Sequence, residues 1–187
     1  MRDLQLDTLA GVLDGSILVQ NHCYRADEMA MMIEMSHEFN YQITAFHHAI
    51  EAYKIADLLA DEGICGALWA DWWGFKHEAY DMVPANIAIV DQARGGTGCA
   101  IVHSDDEVGI QHLNQEAAKA LIAGIRAGYD ISKARAIRWI TSNPAIAAGI
   151  FDQTGSIEVG KDADLVIWSG DPSVSYTHLT LPTSTHV

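Results

Sequence analysis

Three short apolar runs in this 187-residue sequence each end in polar side chains that could hold a metal ion or move a proton. Ile17-Leu18-Val19 leads into Gln20-Asn21-His22, Ile43-Thr44-Ala45-Phe46 into His47-His48, and Cys99-Ala100-Ile101-Val102 into His103-Ser104-Asp105. Neutral imidazoles and a carboxylate are the donors that a borderline divalent cation such as zinc accepts. A carboxylate beside such a cation can also take the proton of an attacking water. A lone histidine after a strand is most often structural, so the weight rests on the three clusters occurring together.

The elements around these clusters alternate. Leu4–Leu13 reads as a helix closed by Asp14-Gly15, and Ile17–Asn21 as a strand. Ala26–Phe39 carries Met29, Met32, Ile33 and Met35 near the helical period, a stripe that belongs to a core. Tyr41–Phe46 is a second strand, Glu51–Asp61 a helix, and Ile64–Leu68 a third strand. Residues 69–84 form a loop rich in Trp, Gly and His, followed by a helix over Asn86–Ala93, a turn at Gly95–Gly98 and a fourth strand at Cys99–Val102. Helical stretches over Asn114–Ala127, Ser132–Thr141 and Pro144–Ile150 complete the series. Strands alternating with helices imply a parallel α/β sheet, whose function sits at the carboxyl ends of its strands. The Gly95–Gly98 turn matches neither a dinucleotide nor a P-loop pattern.

Side chains alternate along a strand, and in a barrel one face meets the lumen while the other packs under helices. Ile17 and Val19 then face outward, and Leu18, Gln20 and His22 inward. On the second strand Ile43 and Ala45 fit the helix side. Thr44, Phe46 and His48 are expected in the lumen, with His47 under the helices or at the rim. On the fourth, Ala100 and Val102 face outward and Ile101, His103 and Asp105 inward. One rule thus sends His22, His48 and Asp105 to the same side and the same end. His103 divides evenly between lumen packing and substrate contact. Trp69, Trp72 and Trp73 either line a substrate pocket or cover the barrel mouth. Lys76 is a further candidate for substrate contact, although it and Glu78 are residues more often found solvated.

Composition limits the alternatives. Apolar residues make up 49% of the chain and charged residues 19%, too apolar for a disordered chain. With 25 acids against 11 Lys and Arg, the net charge of −14 disfavours nucleic-acid binding. No apolar run has the roughly 20 residues of a membrane helix, so no membrane partner is expected. Cys23, Cys65 and Cys99 lie far apart in sequence, with neither zinc-ribbon spacing nor a disulfide framework, which makes a reducing cytoplasm the default.

The chain resembles the amidohydrolase superfamily, in particular its imidazolonepropionase-like branch, from about Arg2 to Pro172. The resemblance is strongest at Thr141-Ser142-Asn143-Pro144-Ala145 and at Gly155-Ser156-Ile157-Glu158-Val159-Gly160-Lys161-Asp162-Ala163-Asp164-Leu165-Val166. It implies the C-terminal half of a (β/α)8 TIM-type barrel, strands five to eight, over residues 1–150. The first strands of a small β-sandwich would follow over 151–172. His22 resembles the metal ligand that closes strand five, His48 the one that closes strand six, and Asp105 the strand-eight aspartate, at once a ligand and the catalytic acid–base group. The family's paired histidines after strand one and its strand-four ligand would lie upstream of Met1. The implied chemistry is hydrolysis of an amide or cyclic C–N bond through a metal-activated water, with one or two divalent ions, zinc by preference. Its substrates would be small amides, cyclic amides or dipeptides, bound with the help of His103, Trp72 and Lys76. The intact enzyme could form oligomers.

Two rival readings remain open on the sequence: a non-catalytic flavodoxin-like or receiver-like module, and a superfamily member that has lost its metal. The tail is a separate matter. Residues 173–187 contain no Asp, Glu, Lys or Arg, and Val174–Thr183 matches, residue for residue, the translation of a transposase sequencing adaptor. It is expected to be adaptor read-through and not native sequence, which would make the chain a fragment.

Overall fold

A computed structural model describes residues 3–173; the adaptor-like residues 174–187 lie outside the described residues. Helix α1 (Leu4–Leu13) begins where the Asp3 carboxylate accepts the backbone N–H groups of Gln5 and Leu6. Strand β1 (Val19–Cys23) leads into α2 (Ala26–Phe39), which ends at Asn40 in the left-handed conformation, φ 55°. Strand β2 (Ile43–His48), a 3-10 turn over Ala52–Ile55 and α3 (Ala56–Asp61) follow. Then come β3 (Cys65–Leu68), α4 (Asn86–Gly96) and β4 (Cys99–Val102). Helix α4 is interrupted at Ala93–Gly95, where the backbone leaves helical angles. That break corresponds to the turn expected at Gly95. The chain continues through α5 (Leu113–Arg126), α6 (Lys133–Ile137) and α7 (Ser142–Ala147).

The four strands pair in parallel in chain order, β1-β2-β3-β4. A flavodoxin-like or receiver-like sheet reverses direction after its first strand, so that strand one lies between strands two and three. Here β2 lies between β1 and β3, which counts against that module. Uninterrupted sequential order is how barrel strands succeed one another. Among the described residues, no helix is long and apolar enough to cross a membrane.

The two faces of the sheet have different work. The outer face packs under the helices in a core that joins Ile43, Phe46, Leu68, Ala100 and Val102 to Met29, Ile33, Leu59, Val90 and Leu121. The inner face carries Ala45, Cys65, Ala67 and Ile101, and Ala147 of α7 packs against them. Alternation thus holds for β1 and β4 but fails on β2. The β1–β2 register shifts between Val19 and Gln20, with Val19 opposite Ile43 and Gln20 opposite Ala45. One extra residue on β2 inverts every side chain after it. Phe46 therefore lies in the helix-side core and not in the lumen, and Ala45 faces inward and not outward.

The cysteines also depart from expectation. Cys65 and Cys99 stand opposite each other on β3 and β4 and form a disulfide, while Cys23 is free and buried. Their separation of 34 positions in sequence hides a pairing that strand register creates. The separation of the cysteines in sequence was the ground for expecting a reducing compartment, and that ground is gone.

Two nodes fasten the last helices to the sheet. Asp91, fully buried on α4, accepts two bonds from Arg135 Nε at 2.8 and 2.9 Å and one from Trp139 Nε1 at 2.8 Å. Arg135 also donates to the carbonyls of Asp91 and Gly96 at the break in α4. Asn143, of the Thr-Ser-Asn-Pro-Ala motif, is buried and donates to the Ala100 carbonyl of β4 at 2.7 Å. Gly155 opens the second motif at φ 93°, and a Cβ there would come within 2.6 Å of Ala145 Cβ. The two motif segments therefore pack directly on each other. Residues 151–173 run as turns and extended chain, with no strand among the described residues.

Candidate active site

The inner face of the sheet ends in a cluster of rings. His22 lies at the end of β1 and His48 at the end of β2, with His22 Nδ1 and His48 Nε2 2.8 Å apart. His48 reaches this position because the chain turns into the left-handed region there, φ 69° at His48 and 35° at Ala49. Such angles cost a non-glycine residue about 1–3 kcal/mol unless the surroundings hold them. The surroundings do hold them. Ala49 N donates to the Cys23 carbonyl at 2.8 Å and Glu51 N to the Tyr24 carbonyl at 3.1 Å. Buried Asn86 donates to the carbonyls of Ala49 and Ile50 and accepts from Tyr53 N. Glu51 accepts the N–H of Ala26 at the start of α2, where Arg25 supplies no side-chain cap. The loops after β1 and β2 are thus locked into one piece. Asn86→Ala is expected to lower unfolding stability by about 2–4 kcal/mol, since it strands two carbonyls and an N–H. Urea denaturation of the chain would measure it.

His47 joins the same face and is not buried under the helices. After the register shift it points inward, its Nε2 lying 2.8 Å from Gln20 Oε1. Gln20 Nε2 donates to the Ala147 carbonyl, so Gln20 Oε1 is the acceptor and His47 carries its proton on Nε2. His103, at the end of β4, lies 5.8 Å from His47, 5.1 Å from His48 and 5.2 Å from Trp69, ring centre to ring centre. Trp69 stacks on Trp72, Phe75 stands edge-on to both, and Tyr24 stacks on His48. Trp73 instead lies 62% exposed and donates to the Tyr80 carbonyl. Sequence reasoning did not single out Tyr24, placed Gln20 inward without giving it a specific role, and left Trp69 undecided. Trp69 continues the inward phase of Cys65 and Ala67 on β3, a signal that was available.

Burial and the neighbouring imidazoles set the electrostatics. Burial first, then the charge of His22, holds His48 down at about 4. Burial first, then His48 and His47, holds His103 at about 3, and burial lowers His47. The exposed Asp105 carboxylate opposes the shifts of His47 and His48, which places its field on the cluster. Histidines depressed on folding contribute stability that is complete above the ordinary value near 6.5 and is lost as pH falls toward the folded values. Chelator-treated chain should therefore unfold at lower urea at pH 5 than at pH 7, and His103→Gln should narrow the gap. An unchanged gap would show that His103 does not cause it.

In donor type the histidine pair fits a divalent cation, for two imidazole nitrogens meet at 2.8 Å, a hydrogen-bond distance. His48 Nδ1, Trp69 Nε1 and His103 Nε2 are also buried with no hydrogen-bond partner among the described residues. In number the fit is partial. Among the described residues, no group of three or more His, Cys, Asp or Glu side chains is close enough to hold a metal. A catalytic zinc usually takes three protein ligands.

Residues 114–185 match the model of the Amidohydrolase family. The chain is 32% identical over 175 residues to the amidohydrolase tasK of Hapsidospora irregularis, an alignment of 91% of this chain and 17% of that protein. The crystal structure of an amidohydrolase from Thermotoga maritima superimposes with a TM-score of 0.81 at 30% identity, over 94% of this chain and 44% of that one. An adenosine deaminase from Xanthomonas campestris, solved with bound zinc, gives a TM-score of 0.64 at 20% identity over 98% of this chain and 42% of its own, a likeness of fold. The chain thus spans less than half of each of these relatives. Sequential parallel strands, a histidine pair at their carboxyl ends and these likenesses together support membership of the amidohydrolase superfamily.

Proposed function

We propose that this chain is the C-terminal half of a metal-dependent hydrolase acting on an amide or cyclic C–N bond of a small molecule. In this reading β1 to β4 are barrel strands five to eight, and residues 151–172 begin a β-sandwich. The observation that carries it is the approach of His22 and His48 to 2.8 Å at the ends of adjacent parallel strands. The low proton affinity of His48 suits the task, because a ligand histidine must be neutral, and burial keeps His48 neutral far below pH 7. His22 and His48 hold the cation, zinc by the donor set, and the remaining ligands come from the other half of the barrel. The cation supplies a lowered pKa for water, toward about 7, and polarises the scissile carbonyl. Asp105 accepts the proton of the attacking water and returns it to the leaving nitrogen. His103, Trp72 and Lys76 contact the substrate.

Metal content tests this reading. In the hydrolase carrying both barrel halves, His22→Ala or His48→Ala should weaken zinc binding by more than about 100-fold, beyond the loss that follows removal of an outer partner. Competition with a chromophoric chelator would measure it. Unchanged affinity in both variants would remove the pair from the metal site. A second reading, a superfamily member without metal, draws on the missing third donor among the described residues. Wild-type protein that takes up no zinc in the same titration would favour it.

A further inference from the structure

Lys76 is a cation in an unusual setting. Its Nζ lies 3.8 Å from the centre of the Tyr24 ring and 5.4 Å from that of Phe75. Tyr24 in turn stacks on His48, with ring centres 5.0 Å apart, so the ammonium stands one ring away from the histidine pair. Seven other basic side chains in the described residues have a carboxylate within reach, whereas Arg126 and Arg138 form no salt bridge there. Arg25 pairs with Asp27, Lys54 with Glu51 and Asp81, Arg94 with Asp61, Lys119 with Glu116 and Asp71, and Arg135 with Asp91. Lys133 and Lys161 are paired likewise. The open cleft of about 470 Å³ nearby is lined by Arg25 and Lys54 together with the acids that already neutralise them. Lys76 is half-buried, and among the described residues it has no carboxylate partner, in a chain with 25 acids and a net charge of −14.

Aromatic rings hold an ammonium in place without cancelling its charge. A carboxylate arriving there would meet a positioned, partly desolvated cation, where a charge-assisted hydrogen bond is strong. Beside it Trp72 and Phe75 stand edge to face at 5.7 Å, with Trp72 stacked on Trp69 at 5.2 Å, a shelf for a flat or apolar group. We propose that Lys76 receives a carboxylate of the substrate and that the Trp72–Phe75 shelf receives the planar group beside it, so that the preferred substrates are anionic amides and not neutral ones. The inference rests on the hydrolase reading for the word substrate, but not for the binding it describes.

The test compares hippurate with its neutral analogue, N-benzoylglycinamide, by quenching of tryptophan fluorescence in the chelator-treated chain. Hippurate should bind about tenfold more tightly than the amide, and Lys76→Met should erase the difference while Lys76→Arg keeps it. Raising the salt should weaken hippurate and leave the amide unchanged. Circular dichroism of each variant would verify the fold, since among the described residues the Lys76 side chain makes no hydrogen bond that a substitution would break. Equal binding of the two probes, binding of neither, or tight hippurate binding by Lys76→Met overturns the proposal. Metal and turnover play no part in this readout. Selective hippurate binding by a protein that hydrolyses no amide would sink the hydrolase reading alone.

Discussion

Asp105→Asn is expected, on the proposed metal-dependent reading, to lower kcat/KM of the hydrolase carrying both barrel halves by about 10²–10⁴-fold, the usual worth of a positioned general base. The amide keeps the size and a hydrogen-bonding oxygen but cannot accept the proton of water. Because Asp105 is exposed at the end of β4 and makes no contact in the core, the substitution should leave the unfolding midpoint where it is. The expected signature is thus lost turnover with the fold intact. Steady-state kinetics on a hydrolysed amide, paired with thermal unfolding, would give both numbers. Activity within threefold of wild type would take the proton-transfer role from Asp105.

Asp91→Ala should have the opposite signature. Asp91 is fully buried, and its carboxylate answers both the Arg135 guanidinium and the Trp139 indole. Removing one partner of a buried ion pair leaves an uncompensated charge, which costs about 3–5 kcal/mol. For a chain of this size that is a fall in Tm of roughly 6–20 °C. Asp91→Asn should be milder, since an amide oxygen can still accept from Trp139. The histidine cluster lies at the far side of the sheet from this node, so the intrinsic zinc affinity of folded protein should not change. A fall in Tm below about 2 °C would mean that the node is not anchoring α4 to α6.

The two faces of the sheet show how far the sequence could be read. Val19, Gln20 and His22 on β1, and Ala100, Ile101 and His103 on β4, lie on the sides that alternation assigns them. On β2 the same rule fails after Thr44, because the slip in register against β1 belongs to the pair of strands and not to either sequence. His47 and Phe46 exchange faces as a result. His48 still arrives beside His22, but by a left-handed turn at the strand end, not by alternation. The Cys65–Cys99 bond was illegible for a related reason: it follows from register across β3 and β4, and the two thiols stand 34 positions apart in sequence. The Thr-Ser-Asn-Pro-Ala motif could be recognised as a motif. Its physical content, Asn143 holding the Ala100 carbonyl, emerged only with the packing of α7.

The bond between β3 and β4 encloses everything from Gly66 to Gly98, including the exposed stretch around Trp73, Phe75 and Tyr80. A protease that nicks that stretch would not release either piece. The two halves would migrate as one species until a reductant is added, and the strands would keep their register while the loop gained a pair of new ends. Limited digestion could therefore open the aromatic shelf beside the histidines without dismantling the sheet beneath it.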